Sequence, residues 1–125
     1  GVTVTHTGLT SLITTLVERC ALSPDSRVLQ FTSASFDVSV IELLLGFTAG
    51  VTLVVPQVPR LAGEDLARVL STQRVSHAFL PPSALASLPS GAEATLSDLG
   101  TVVVAGEACP PDLAERWSQG RRMIN

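Results

Sequence analysis

Asp37 is the only acid between Asp25 and Glu42, and its neighbours Phe36, Val38 and Val40 are apolar. A carboxylate in such surroundings is costly to leave unpaired. It therefore either caps the helix it precedes or meets a cation from outside. Asp is a favoured N-cap and suits the positive end of a helix, so on spacing alone capping stands slightly ahead. Ser39-x-x-Glu42 offers a competing capping box, and if Ser39 is the cap, Asp37 is left free.

A second constellation is Ala105-Gly106-Glu107-Ala108-Cys109-Pro110-Pro111, which reads as a strand-to-helix turn. Gly106 could let a flat ring approach the backbone closely, although a tight turn that needs a small residue is the plainer reading. Glu107 is by default a helix-start acid. His77 lies in an apolar strand, where a structural histidine is commoner than a catalytic one, and His6 is a solvated or locally bonded side chain. The two histidines with Cys20 and Cys109 form no zinc-type ligand set. Ser35 and Ser83 have no nucleophile elbow, and neither GxGxxG nor GxxxxGK[ST] occurs.

The elements that must position these residues alternate between two periods. Leu9, Leu12, Ile13, Leu16, Val17 and Cys20 fall on one helical face, with Thr5 or Thr7 as the expected cap and Pro24 beyond the end. Strands are predicted over 27–32, 51–55, 76–80, 101–105 and 122–125, from β-branched or apolar runs closed by turn residues. Helices are predicted over 38–47, 63–74, 83–88 and 110–120, with a polar loop over 89–98. Val38 to Phe47 is dense enough in apolar residues to be buried on more than one side. The run Thr101 to Ala105 is apolar throughout and reads as central in a parallel sheet.

This alternation predicts an α/β fold, namely a three-layer, flavodoxin-like, mostly parallel sheet of about five strands with helices on both faces. Such sheets bind ligands beyond the carboxyl ends of their strands. Asp37, Phe79, Ala105, Glu107 and Asn125 should then line a single rim.

Composition narrows the function further. Charged residues are 15% and hydrophobic residues 46% of the 125, which excludes a disordered chain. Eight scattered cations against eleven acids leave no basic stripe for nucleic acid. The longest apolar stretch, Leu43 to Pro56, is interrupted by Gly46, Thr48, Gly50 and Thr52 and falls short of the ~20 residues a bilayer needs. Two distant cysteines suit a reducing, cytoplasmic setting. The excess greasiness fits a piece of a longer protein that packs on neighbours.

Several stretches together carry a resemblance. Gly1-Val2-Thr3-Val4-Thr5-His6, Phe31-Thr32-Ser33-Ala34-Ser35-Phe36-Asp37-Val38-Ser39-Val40, Leu80-Pro81-Pro82-Ser83, Val104 to Pro111 and Arg122-Met123-Ile124-Asn125 occur in the order seen in adenylation domains of nonribosomal peptide synthetases. The chain resembles these members of the adenylate-forming superfamily along essentially its whole length. The Phe-Asp-x-Ser element and the Ala-Gly-Glu-Ala-Cys turn are the most specific matches.

The resemblance implies a parent enzyme with two half-reactions. An amino-acid carboxylate attacks the α-phosphate of ATP, with Mg2+, to give aminoacyl-AMP. The acyl group then passes to the phosphopantetheine thiol of a carrier protein. Asp37 would be the counter-ion of the substrate ammonium. Val38, Ile41, Phe79, Val103 and Ala105 would form the side-chain pocket. Gly106 and Glu107, with Ala105, would flank the adenine, and Asn125 would bond its exocyclic amine.

The resemblance also sets limits. It places the phosphate loop before residue 1 and the Tyr-Gly-Pro-Thr-Glu element after residue 125, so residues 1–125 are expected to be one flavodoxin-like subdomain. No catalytic residue falls within it, and the isolated segment is predicted to be inactive. The five pocket residues carry no charge, so an apolar substrate is expected, proline-like or branched aliphatic, although Ile41 departs from proline-type pockets. Two rivals are a fragment of an aryl- or acyl-CoA ligase, which would leave Asp37 unpaired, and a free-standing flavodoxin-like module.

Overall fold

The computed structural model describes residues 3–57 and 61–125. Part of the predicted first matching stretch, Gly1 and Val2, lies outside them. Helix α1 (Leu9–Cys20) comes first, followed by strand β1 (Arg27–Leu29), helix α2 (Asp37–Ala49) and strand β2 (Thr52–Val54). Helix α3 (Gly63–Thr72), strand β3 (His77–Leu80) and the short helices α4 (Pro82–Ala86) and α5 (Ala92–Thr95) come next. Strand β4 (Thr101–Val104), helix α6 (Pro111–Ser118) and strand β5 (Arg122–Ile124) complete the order.

Five parallel strands pair in the order β2-β1-β3-β4-β5, the order of a flavodoxin-like sheet. Alternate residues along each strand face opposite layers. Leu29, Ala78, Leu80, Val102 and Val104 join one core with Leu66 and Leu70 of α3, Leu85 of α4, and Leu113 and Trp117 of α6. Val28 and Phe79 join the other, with Ile13 and Cys20 of α1 and Leu45 of α2. Helices therefore cover both faces, and the three-layer expectation holds.

Local details differ from the sequence reading. A 3-10 turn over His6–Gly8 precedes α1, whose N-cap is Gly8, so neither Thr5 nor Thr7 caps α1. The predicted loop over 89–98 contains α5, entered through Gly91 at φ 85°. β4 is interior, but the middle strand is β3, buried at all four positions.

The end of α1 docks on the sheet edge opposite the rim. His77 Nε2 lies 3.0 Å from the Cys20 carbonyl, to which Thr101 Oγ1 also donates at 3.2 Å. The second ring nitrogen of His77 is 2.7 Å from Ser76 Oγ. These contacts fit a neutral ring that donates from Nε2 and accepts at Nδ1. Burial pushes its pKa down, only partly offset by the Cys20 bond, in keeping with a structural histidine.

Candidate functional site

β1 leads through α2 to β2 on one side, whereas β3 lies on its other side. The connections diverge there, and the loops leaving β1 and β3 part to open a crevice. A cavity of about 320 Å³ occupies that position. Thr32, Phe36, Asp37 and Val38 supply one wall, Phe79, Leu80 and Pro81 the strand end beneath, and Val103, Ala105, Gly106 and Glu107 the opposite wall.

Asp37 is the first residue of α2, and the N-cap position belongs to Phe36, which has no capping side chain. Asp37 therefore does not cap the helix. It sits in the first turn, where the helix dipole favours a negative charge, and its side chain is exposed at the cavity. Among the described residues it makes no ion pair.

The expected capping box is also replaced by something else. Ser39 Oγ donates back to the Phe36 carbonyl at 2.6 Å. Glu42 is fully buried, and its carboxylate turns to the segment leaving β1. It accepts from the amides of Phe31 at 3.3 Å and Thr32 at 3.2 Å, and from Thr32 Oγ1 at 2.9 Å. Burial pushes the Glu42 carboxyl upward, and the bonds from Thr32, Phe31 and Gln30 pull it part of the way back.

Glu107 does not open α6. Its carboxylate accepts from the Ser83 amide at 3.0 Å and from Ser83 Oγ at 2.8 Å, so it ties the turn after β4 to the start of α4. Gly106 adopts φ 85° with nothing within 4 Å of where a Cβ would sit. Glycine is thus favoured by conformation rather than by lack of space.

Seven of the nine residues singled out in the sequence line the cavity: Asp37, Val38, Phe79, Val103, Ala105, Gly106 and Glu107. Ile41, half-buried, packs instead against the core that contains Phe79. Asn125 is exposed just past β5 and is not part of the cavity wall. Phe36, in the segment expected at the rim, and Thr32 also contribute to the wall, although neither was assigned to the substrate or to the adenine. The signal was present in their place between β1 and Asp37. Among the described residues no group of three or more His, Cys, Asp or Glu side chains could hold a metal ion. No described helix is long and apolar enough to cross a membrane.

Residues 1–124 match the family described as AMP-binding enzyme. The chain belongs to that family. Within it, the chain is 50% identical over its full length to a probable non-canonical nonribosomal peptide synthetase, CymA, of Salinispora arenicola, and covers 2% of that protein. It is 51% identical, again over its full length, to novobiocin biosynthesis protein H of Streptomyces niveus, and covers 20% of it. Among solved structures, the nonribosomal peptide synthetase FmoA3 superposes with a TM-score of 0.86 at 30% identity, over 98% of this chain and 14% of that one. The chain thus corresponds to a segment of a nonribosomal peptide synthetase adenylation domain. It spans a fifth or less of each of these relatives.

Proposed function

We propose that this segment is the amino-acid recognition subdomain of an adenylating enzyme, and that Asp37 receives the substrate's α-ammonium. The observation that carries this reading is the setting of Asp37, a carboxylate without an ion-pair partner among the described residues, on the wall of an otherwise mostly apolar cavity at the switch point of the sheet. A second supporting fact comes from another structure of FmoA3, which holds α-methyl-L-serine-AMP and superposes with a TM-score of 0.80 at 26% identity over the aligned residues.

In this reading Val38, Phe79 and Val103 contact the substrate side chain, with Ala105 at the lip and Ile41 behind them. The surfaces they offer carry neither charge nor a side-chain donor, so a charged substrate side chain would be buried unpaired. A small or medium apolar amino acid, branched aliphatic or proline-like, fits this chemistry. The Ala105-Gly106-Glu107 turn presents its open backbone face to the adenine, Glu107 holds that turn through Ser83, and Asn125 bonds the adenine amine. ATP, with Mg2+ held by parts of the parent enzyme outside this segment, would supply the phosphoryl centre that the amino-acid carboxylate attacks. Loading of a phosphopantetheinyl carrier protein follows in the parent enzyme. One neighbour by fold combines adenylation and carrier (PCP) domains.

A graft tests the assignment. Residues 1–125 replace the matching segment of an intact nonribosomal peptide synthetase adenylation domain, and amino-acid-dependent pyrophosphate exchange is profiled across the apolar amino acids. Selectivity should move with the segment, towards small or medium apolar side chains. A chimera that exchanges at the host's rate with the host's preference would refute the assignment.

A further inference from the structure

We infer that Glu42 is a positioning residue for amino-acid recognition, because its buried carboxylate fixes the β1-to-α2 wall against the helix that carries Asp37. The inference rests on the reading of Asp37 given above. It starts from the donors that β1 leaves unpaired. The ladder with β2 ends at Leu29 and Val54, and the Gln30 amide still reaches the Val54 carbonyl at 2.9 Å. The next two amides, of Phe31 and Thr32, instead donate to Glu42. The Thr32 hydroxyl and Gln30 Nε2, at 2.9 and 3.4 Å, add two more donors.

A buried carboxylate is costly unless its oxygens are satisfied. An apolar side chain at this position would be cheaper to bury but would leave the Phe31 and Thr32 amides without acceptors. Four donors on three consecutive residues make Glu42 a clamp. One end is set in α2, and the other in the segment that becomes the cavity wall at Thr32. Asp37 begins the same helix. The clamp therefore holds the Thr32 end of this wall against the helix that begins at Asp37, and so fixes where on the wall the carboxylate that would meet the ammonium sits. Glu42 itself is absent from the cavity surface and acts only through these groups.

The test uses the full-length adenylating protein that carries this chain, with pyrophosphate exchange and thermal midpoint as readouts. Glu42→Gln keeps one acceptor and introduces an NH2 opposite the amides. Its amino-acid KM should rise about tenfold, below the roughly hundredfold that a misplacement of about 1 Å can cost, while the ATP KM moves less than about twofold. Gln30→Leu leaves Glu42 intact and removes one clamp donor together with the 2.6 Å bond from Gln30 Nε2 to the Thr32 carbonyl on the same segment; it should give a smaller rise in the same parameter and serves if Glu42→Gln fails to fold. Thr101→Val, at the far edge of the sheet, should lower the thermal midpoint without changing either KM. Added to Asp37→Ala, Glu42→Gln should have little further effect on the amino-acid KM. If both clamp variants lower the midpoint but leave the two KM values unchanged, or raise them together, the positioning role is overturned. If Asp37→Ala itself leaves the amino-acid KM unchanged, the recognition reading fails, and the role of Glu42 falls with it.

Discussion

Removing the Asp37 carboxylate should weaken amino-acid binding and leave the fold intact. The side chain is exposed and makes no ion pair among the described residues, so Asp37→Ala forfeits only a favourable first-turn charge, about 0.3–1 kcal/mol. Its binding role is larger. A hydrogen bond to a charged group contributes about 1.5–3 kcal/mol, which corresponds to roughly ten- to hundred-fold in kcat/KM for the amino acid. The cavity's mouth is open to water, which screens the pair and favours the lower half of that range. The assay is amino-acid-dependent pyrophosphate exchange by the full-length protein, with ATP dependence measured alongside. Asp37→Asn should recover little, because its amide is uncharged. A loss confined to the amino acid, with at most a small drop in thermal midpoint, is expected. An unchanged amino-acid rate would refute the argument. It would instead favour a substrate that lacks an ammonium, as in the aryl- and acyl-CoA ligase reading.

Two further outcomes follow from the geometry. His77 has a folded-state pKa below its unfolded value of about 6.5, so the unfolded chain binds the extra proton first, and stability falls as pH drops from about 6.5 towards the lowered value. His77→Phe should cost about 1 kcal/mol at pH 7.5, because Thr101 still serves the Cys20 carbonyl. It should also flatten that slope in urea unfolding followed by the fluorescence of Trp117, the chain's one tryptophan; an identical slope would refute it. Glu42, whose carboxyl is pushed up, contributes the opposite slope just above about 4.5, so the comparison with the variant is what isolates the histidine. Gly106→Ala meets no clash, only the penalty of φ 85°. It should destabilise by about 1–2 kcal/mol and raise the ATP KM more than the amino-acid KM in pyrophosphate exchange. Equal effects on both would separate this turn from the adenine.

The layers of the fold were legible because each strand announces itself locally. Val102, Val103 and Val104, and Val51 to Val55, are β-branched or apolar runs with clear stops, and right-handed crossovers leave few ways to arrange them. The rim was legible for the same reason, since strand ends in a parallel sheet share one edge. Individual carboxylates were harder to read. Ser39-x-x-Glu42 has capping-box spacing, yet the amides left over at the end of β1 compete for Glu42 and win it. Glu107 reads as a helix-start acid until the fold brings Ser83, 24 positions earlier, within 2.8 Å of it. Spacing records what neighbours can do along the chain, and both of these bonds are made across it.

The alternation along β3 and β4 constrains how the cavity can change over evolution. Phe79 and Val103 face the crevice side, while Ala78, Leu80, Val102 and Val104 point into the opposite core. A one-residue insertion or deletion in either strand would exchange these two sets and bury the wrong side chains on both faces at once. New preferences in a lineage of such segments must therefore arise by replacing single side chains in place, or by inheriting the whole block from a relative, because sliding the strand is closed to them.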